Sequence, residues 1–379
     1  MKILHLFSNW KWTGPAEPAL NLCRTLSRRH EVRFVSGGFP RPLEENVVAL
    51  EALKRGITPV EGYRLEKHFH PLRNLEDILN LRRFLRRERF DIVHCHMPND
   101  HFIAGCALRT LREKPPVVRT FYDGDGLARS MRVRWLLRHS TRGAVVISRH
   151  ARSCLLDGRF LAPERVAVIP GGVDTSRFDP ARADRDAARA AFGFGGSDFV
   201  FGIVARIQRH RKFEVLLEAF RTAAANDPSL RLVLVGRGTH QEEVAGTPVR
   251  EMGLGDKVLF AGYRQGQDFL NALRAFDCAL FLVPGSDGSC RAVREKMSLG
   301  LPVIVADTRP LDEIIDDGRT GLVVPLTAAN LAGAMARVAG DRAATAAMGK
   351  EAREKALADY SLDVQALRTE EFYRSLLRK

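Results

Sequence analysis

The chain has 379 residues, of which 45% are hydrophobic and 27% charged, the balance of an ordinary globular protein, so disorder and collagen are excluded. At roughly 100 to 200 residues per domain this length predicts two or three domains, two as the first expectation. No run reaches the roughly 18 to 20 apolar residues of a membrane-spanning helix, and the apolar start at 3–7 is too short for a secretory signal, so a cytosolic protein is expected. The six cysteines form no Cys-x-x-Cys pair and read as reduced thiols, neither a disulfide framework nor a zinc site. Lys and Arg outnumber Asp and Glu by 59 to 45, a net charge of +14. The excess is 31 against 19 in residues 1–180 and 28 against 26 in 181–379. Such asymmetry points to an acidic partner: nucleic acid, an anionic membrane face or a phosphorylated substrate. Well-solvated Arg-rich helices would give the same count.

Apolar runs alternate with amphipathic stretches from end to end, the pattern of parallel sheets covered by helices. In the first half strands are expected near 2–7, 31–36, 92–94, 117–121, 144–147 and 165–169, with helices near 17–29 and 74–89. Pro170-Gly171-Gly172-Val173-Asp174 closes this pattern, and an Ala/Arg/Asp helix followed by a Gly-rich loop at 193–196 leads into the second. There strands are expected at 199–205, 230–235, 258–260, 278–283 and 302–306, and helices at 213–226, 267–276 and 291–298. The expected organisation is an N-terminal domain over 1–180, a second over 190–358, and a C-terminal helix over 359–379 lying back on the first. Two doubly wound domains would face each other through the carboxyl ends of their strands and bind ligands in the cleft.

The chemistry gathers in the second half. The strand ending at Ala205 runs into Arg206, and Lys212 follows at the start of a helix. Two cations at a strand-to-helix junction can grip a diphosphate, one as a planar fork and one as a compact charge, with the helix N-terminus adding its positive end. A surface-exposed basic turn would look the same. Further on, Asp287 sits in a loop rich in Gly and Ser, and Glu295 lies eight positions later on a helix. Free N–H groups of such a loop face an anion, and a carboxylate one turn into the helix can accept both hydroxyls of a ribose.

At this point the chain resembles the retaining glycosyltransferases of family 4, whose GT-B fold consists of two facing Rossmann-like domains around a central cleft. The resemblance rests on Asp287-x7-Glu295 with Gly300-Leu301-Pro302-Val303. It extends to Asp91-Ile92-Val93-His94-Cys95-His96, Ile169 to Asp174 with Arg177-Phe178, Arg206 with Lys212, Gly236 with Gly238, and Asp317-Gly318 with Gly321, in the family's order over almost the whole chain. It implies that Arg206 and Lys212 hold the donor diphosphate and stabilise the departing charge. Arg211 is the alternative to Lys212, because the helix that follows looks one residue short. Glu295 would bind the ribose and Asp287 the transferred sugar. The N–H groups of Gly288, Ser289, Cys290 and Arg291 would face sugar hydroxyls and phosphate, and Gly236 and Gly238 would let the chain approach the nucleotide base. Gly14, the single Gly of the loop after the first strand, would face donor or acceptor. Many members carry a His after the strand at 117–121, where Tyr122 and Asp123 stand here, so either one of these would take over that sugar contact or the contact is dispensable.

The implied reaction moves a sugar from a nucleotide-diphosphate sugar, UDP-, GDP- or ADP-linked, with retained anomeric configuration. The departing phosphate oxygen would take the acceptor's proton, so no nucleophile is needed and, unlike a hydrolase, no acid. The positive first half points to a phosphorylated or lipid-linked glycan acceptor, as in lipopolysaccharide or cell-envelope polysaccharide synthesis, on a cytoplasmic protein peripheral to the inner membrane face. No nucleic acid partner and no cofactor are expected. Nor is a metal, since the cations supply the charge: Asp123-Gly124-Asp125 and His94-Cys95-His96 read as decoys. The arginines of 129–142 with Trp135, and the cluster at Arg82, Arg83, Arg86, Arg87 and Arg89, fit either anionic lipid or sheet-covering helices. A nucleotide-sugar epimerase and a non-catalytic sugar-nucleotide or nucleic-acid binding protein are the competing readings. No Gly-x-Gly-x-x-Gly follows the first strand, which argues against an NAD-dependent dehydrogenase.

Overall fold

A computed structural model describes residues 1–123, 131–284 and 290–378. It divides into two compact units, one of residues 1–172 with 362–379 and one of residues 173–361, setting aside residues 285–289, which are not described. Each unit is built on a six-stranded, wholly parallel sheet.

In the first unit the strands are β1 (Lys2–Phe7), β2 (Glu31–Ser36), β3 (Ile92–Cys95), β4 (Val117–Phe121), β5 (Gly143–Val146) and β6 (Val166–Val168), in spatial order β2-β1-β3-β4-β5-β6. β1 is buried from Ile3 onward and β3 throughout, as a parallel strand covered on both faces must be. Pairing runs on from β1, beside β2, to β3 on its other edge, so the order of strands reverses between β1 and β3. The helix Leu362–Leu377 belongs to this unit. It sets Ala366, Phe372, Tyr373 and Leu376 into a buried cluster with Ile3, Leu22, Leu26, Ile92, Val118 and Val145. Gly143 lies under this helix, where a Cβ would come within 2.6 Å of Leu376 and 2.8 Å of Phe372.

The second unit opens where the Val173 N–H donates to the Tyr360 carbonyl at 2.7 Å. Its strands are β7 (Phe199–Val204), β8 (Leu230–Val235), β9 (Val258–Gly262), β10 (Cys278–Phe281), β11 (Val303–Ala306) and β12 (Gly321–Val324), in the order β12-β11-β10-β7-β8-β9. The chain winds outward from β7 in one direction through β8 and β9, then returns to pair β10 on its other edge. The crevice beyond the carboxyl ends of such a pair, here β7 and β10, is where open α/β sheets bind ligands. Gly202 in β7 makes room for the Phe276 ring, which comes within 2.1 Å of where a Cβ would stand. Ring packing of this kind locks the strand against the connection into β10. The helices over this sheet are Phe213–Asn226, Gly266–Arg274, Arg291–Ser298, Ala328–Gly340 and Arg342–Tyr360. Asp341 and Thr327 cap two of them by accepting from Ala344 N–H at 2.9 Å and Asn330 N–H at 3.2 Å.

Candidate active site

The segment leaving β7 carries Arg206 and, after a short turn, Arg211 and Lys212. Arg206 is exposed and, among the described residues, has no ion-pair partner. Arg211 is half-buried and reaches across the order reversal, donating Nη1–H to the Val283 carbonyl just beyond β10 at 2.8 Å. Its Nε is buried and, among the described residues, has no hydrogen-bond partner. Burial, and then the like charge of Arg206, lower its pKa. A guanidinium in that state gains from an arriving anion, which supplies both the missing acceptor and the missing counter-charge.

Lys212 is placed differently. It sits in the left-handed region at φ 61°, as the residue before the helix Phe213–Asn226, a conformation that costs a side-chain-bearing residue roughly 1–2 kcal/mol and that glycine adopts freely. Its ammonium is half exposed and 3.5 Å from Glu214. Of the two adjacent cations, Arg211 is the anchored and undersatisfied one.

Gly236 and Gly238 follow β8. A Cβ on Gly236 would stand 2.0 Å from the Ala205 carbonyl oxygen, and one on Gly238 would stand 1.7 Å from that of Ile207. The backbone that these glycines admit is therefore the segment bearing Arg206, joined to them by Ala205 N–H to Val235 O at 3.0 Å and Ile207 N–H to Arg237 O at 3.3 Å. The side chain between them, Arg237, is exposed and lies 5.0 Å from the Tyr263 ring.

After β10, Cys290 is buried at φ 49° and leads into the helix Arg291–Ser298. One turn in, Arg291 Nε lies 3.2 Å from a Glu295 carboxylate oxygen, the i,i+4 geometry that fixes a carboxylate along a helix. Asp287, Gly288 and Ser289 lie outside the described residues, as does Asp125. The fully buried Lys296 follows Glu295, its ammonium donating to the Ala292 carbonyl at 2.9 Å.

In the first unit, Gly14 lies in a turn closed by Ala16 N–H to Thr13 O at 2.9 Å, after β1. Tyr122 and Asp123 follow β4, half-buried and exposed respectively. Tyr122 is tied to a buried network that sequence reasoning left as packing. Its hydroxyl meets His96 Nδ1 at 2.7 Å, and His96 Nε2 meets His5 Nδ1 at 2.9 Å. His94 stacks on His96 with centroids 4.4 Å apart and hydrogen-bonds Thr120 at 2.7 Å and Tyr373. Desolvation holds all three imidazoles neutral, His5 down to about 3. Among the described residues this is the group of His, Cys or carboxylate side chains close enough to share a metal. Both nitrogens of His94 and of His96 are already hydrogen-bonded, so a metal would have to break those bonds. The signal for the network was a His in the middle of each of two strands, which the parallel register sets side by side as His5 and His94. Nearby, Asp100 accepts from the Ser8 and Met97 N–H groups at 2.8 and 2.9 Å, and burial raises its pKa to about 7.

Two such parallel sheets, each with its order reversal beside a strand end that carries these groups, define a glycosyltransferase of the GT-B type. The sequence profile of Glycosyltransferase Family 4 matches residues 13–177, and that of Glycosyl transferases group 1 matches residues 184–355. The chain belongs to this family and is a sugar-transferring enzyme. Over 303 residues it is 25% identical to the UDP-Gal:alpha-D-GlcNAc-diphosphoundecaprenol alpha-1,3-galactosyltransferase of Escherichia coli, covering 77% of each chain. It is 35% identical over 205 residues to the D-inositol 3-phosphate glycosyltransferase of Saccharomonospora viridis, spanning 52% of this chain and about half (47%) of that one. Among solved structures, Anabaena HepE in complex with UDP superposes with a TM-score of 0.79 at 19% identity, over 99% of this chain and 100% of that one. A glycosyltransferase from Rickettsia africae reaches 0.81 at 18% identity, over 100% and 99%. No helix among the described residues is long and apolar enough to cross a membrane.

Proposed function

We propose that the enzyme transfers a sugar with retention of configuration from a nucleotide-diphosphate sugar to a phosphorylated or lipid-linked glycan, with Arg206 and Arg211 on the diphosphate. The observation that carries the reading is the Arg211 guanidinium, anchored on Val283 at the β7–β10 reversal and, among the described residues, short of acceptors beside Arg206, a second arginine with no ion-pair partner there. Two guanidiniums stabilise a leaving diphosphate electrostatically without a metal or a proton donor. Glu295, held by Arg291, is the ribose ligand in this reading, Asp287 faces the sugar, and the N–H groups at 288–291 face the phosphates. Tyr122, oriented by His96, takes the sugar or acceptor contact on the first unit. The UDP-galactose and diphospholipid named for the Escherichia coli relative, and the UDP bound to HepE, favour a uridine donor and a lipid-linked acceptor. Cell-envelope polysaccharide synthesis is the setting these chemistries share.

The test is a thermal-shift and hydrolysis screen of UDP-, GDP- and ADP-sugars on the parent and on Arg206→Ala, Arg211→Ala and Lys212→Gly. Loss of one charged hydrogen-bonding partner of the leaving group is expected to lower turnover by about 100- to 1,000-fold in each arginine variant. Lys212→Gly is expected to stabilise the fold by about 1 kcal/mol through relief of its left-handed backbone and to lower turnover far less than Arg211→Ala. The opposite ranking of the two variants would return the diphosphate role to Lys212. The product's anomeric proton coupling decides retention.

A further inference from the structure

The helix Pro71–Glu88 of the first unit is inside out over its first turns. Its inward face there is polar: Asn74 and Asn99 exchange hydrogen bonds at 2.9 and 3.2 Å, and Asp77 accepts from the N–H groups of Arg64 and Leu65 at 2.9 and 2.8 Å. The leucines of the same turns point outward, with Leu72 75%, Leu75 53% and Leu79 42% exposed. Water-exposed leucines opposite buried, fully bonded Asn and Asp invert the arrangement that the hydrophobic effect produces in an isolated globule.

At 3.6 residues per turn, positions 72, 75 and 79 form one stripe, and 83 and 86 continue it. Arg83 and Arg86 are both exposed there. The acidic side chain beside the stripe, Glu76, is paired with Arg64 at 2.7 Å. The face is thus apolar at its N-terminal end and cationic at its C-terminal end, and Phe69, half exposed, extends the apolar end.

We propose that this face docks on an anionic lipid bilayer, with Leu72, Leu75 and Leu79 entering the headgroup–acyl boundary and Arg83 and Arg86 on lipid phosphates. Charge complementarity selects this occupant. A second copy would set a strongly basic surface against another, whereas nucleic acid would satisfy the arginines and leave the leucines in water. The other basic helix, Met131–His139, turns its three aliphatic residues Val133, Leu136 and Leu137 into the core and leaves only Met131, with the half-buried Trp135, on its outer side, a smaller apolar face than three exposed leucines. For its purpose the proposal rests on the lipid-linked acceptor reading, since it brings the enzyme to the surface where such an acceptor sits.

The experiment is sedimentation of the full chain with vesicles of phosphatidylcholine alone or mixed with phosphatidylglycerol. The variants are Leu72→Gln/Leu75→Gln/Leu79→Gln and Arg83→Gln/Arg86→Gln, with Arg134→Gln/Arg138→Gln as the control on the other helix. All are checked for unchanged thermal unfolding and, by ultracentrifugation, for unchanged mass. The parent is expected to prefer the anionic vesicles. Loss of two arginines should weaken binding roughly thirtyfold, at about fivefold for each cation near an anionic surface, and loss of the leucines at least about tenfold. The control should stay within severalfold of the parent. Equal binding to both vesicles, an arginine effect without a leucine effect, loss in the control alone, or a leucine variant that turns a dimer into a monomer would each overturn the proposal. Donor hydrolysis without lipid, on the same preparations, reads the transferase reading separately. Hydrolysis with no vesicle binding removes the docking surface alone, while vesicle binding with no hydrolysis of any nucleotide sugar leaves the surface standing and removes the transferase reading.

Discussion

A lysine ammonium buried from water, with a neutral carbonyl as its acceptor among the described residues, is an unusual thing for a fold to keep, and Lys296 keeps one beside Glu295. Burial pushes its pKa down from 10.5 to about 8, against a smaller upward pull from the Glu295 charge. Below about pH 8 the native and unfolded chains both hold the proton, and the native state bears the whole desolvation cost. Between about 8 and 10.5 the unfolded chain binds more protons than the native one, so stability rises with pH. Above that range both forms are neutral and the cost is gone. Lys296→Met fills a similar volume without the charge, so at pH 7 it is expected to be more stable than the parent by about 2–3 kcal/mol. The gain should shrink toward zero near pH 10.5. Urea titrations at the two pH values check both the sign and its disappearance, and a variant less stable than the parent at pH 7 would contradict this account.

At the scale of elements, the C-terminal helix and strand β3 are joined by the bond between Tyr373 and His94, both fully buried. Tyr373→Phe keeps the ring in the cluster with Ile3, Leu26 and Val118 and removes only the hydroxyl, so that the buried His94 Nδ1 loses its Tyr373 partner. The expected cost is about 1–3 kcal/mol, with faster amide exchange in β3, β4 and the helix while β7 to β12 are unchanged; hydrogen-exchange mass spectrometry measures both. The elements themselves were largely legible, because a parallel strand buried on both faces is a run of apolar residues and a covering helix is amphipathic. β12 was not: Gly321–Val324 is four residues beside a turn, and only its pairing with β11, Val303 against Gly321, makes it a strand. The first turn of the helix Pro71–Glu88 was also missed, because its leucines break the pattern of a core-facing helix. The Arg291–Glu295 pair follows from helical spacing alone. The choice between Arg211 and Lys212 does not, since it depends on the Val283 carbonyl 72 residues away.

For the molecule as a whole, chain connectivity and charge divide along the same line. Setting aside residues 285–289, the second unit runs from Val173 to Ser361, while the first includes a helix that returns after it. Residues 1–172 with 362–379 hold 34 Lys and Arg against 20 Asp and Glu, which leaves 25 against 25 in residues 173–361. A segment of that length with its own two-sided core has what an autonomous domain needs, and it carries Arg206, Arg211 and Glu295. Expressed alone, residues 173–361 are therefore expected to unfold cooperatively and to bind UDP within about tenfold of the full chain, since an anion site formed by one sheet's own loops loses little when the other sheet is absent. Residues 1–172 alone should fare worse. Without Ala366, Phe372, Tyr373 and Leu376 they expose Ile3, Leu22, Leu26, Ile92 and Val118, a contiguous apolar patch on a small domain. Adding the 362–379 peptide in trans should restore a sharp unfolding transition. Calorimetry on the two fragments and titration of UDP into the second separate these outcomes. If the second fragment folds but fails to bind UDP while the full chain binds it, the diphosphate site needs groups from the first unit and the division of labour drawn here is wrong.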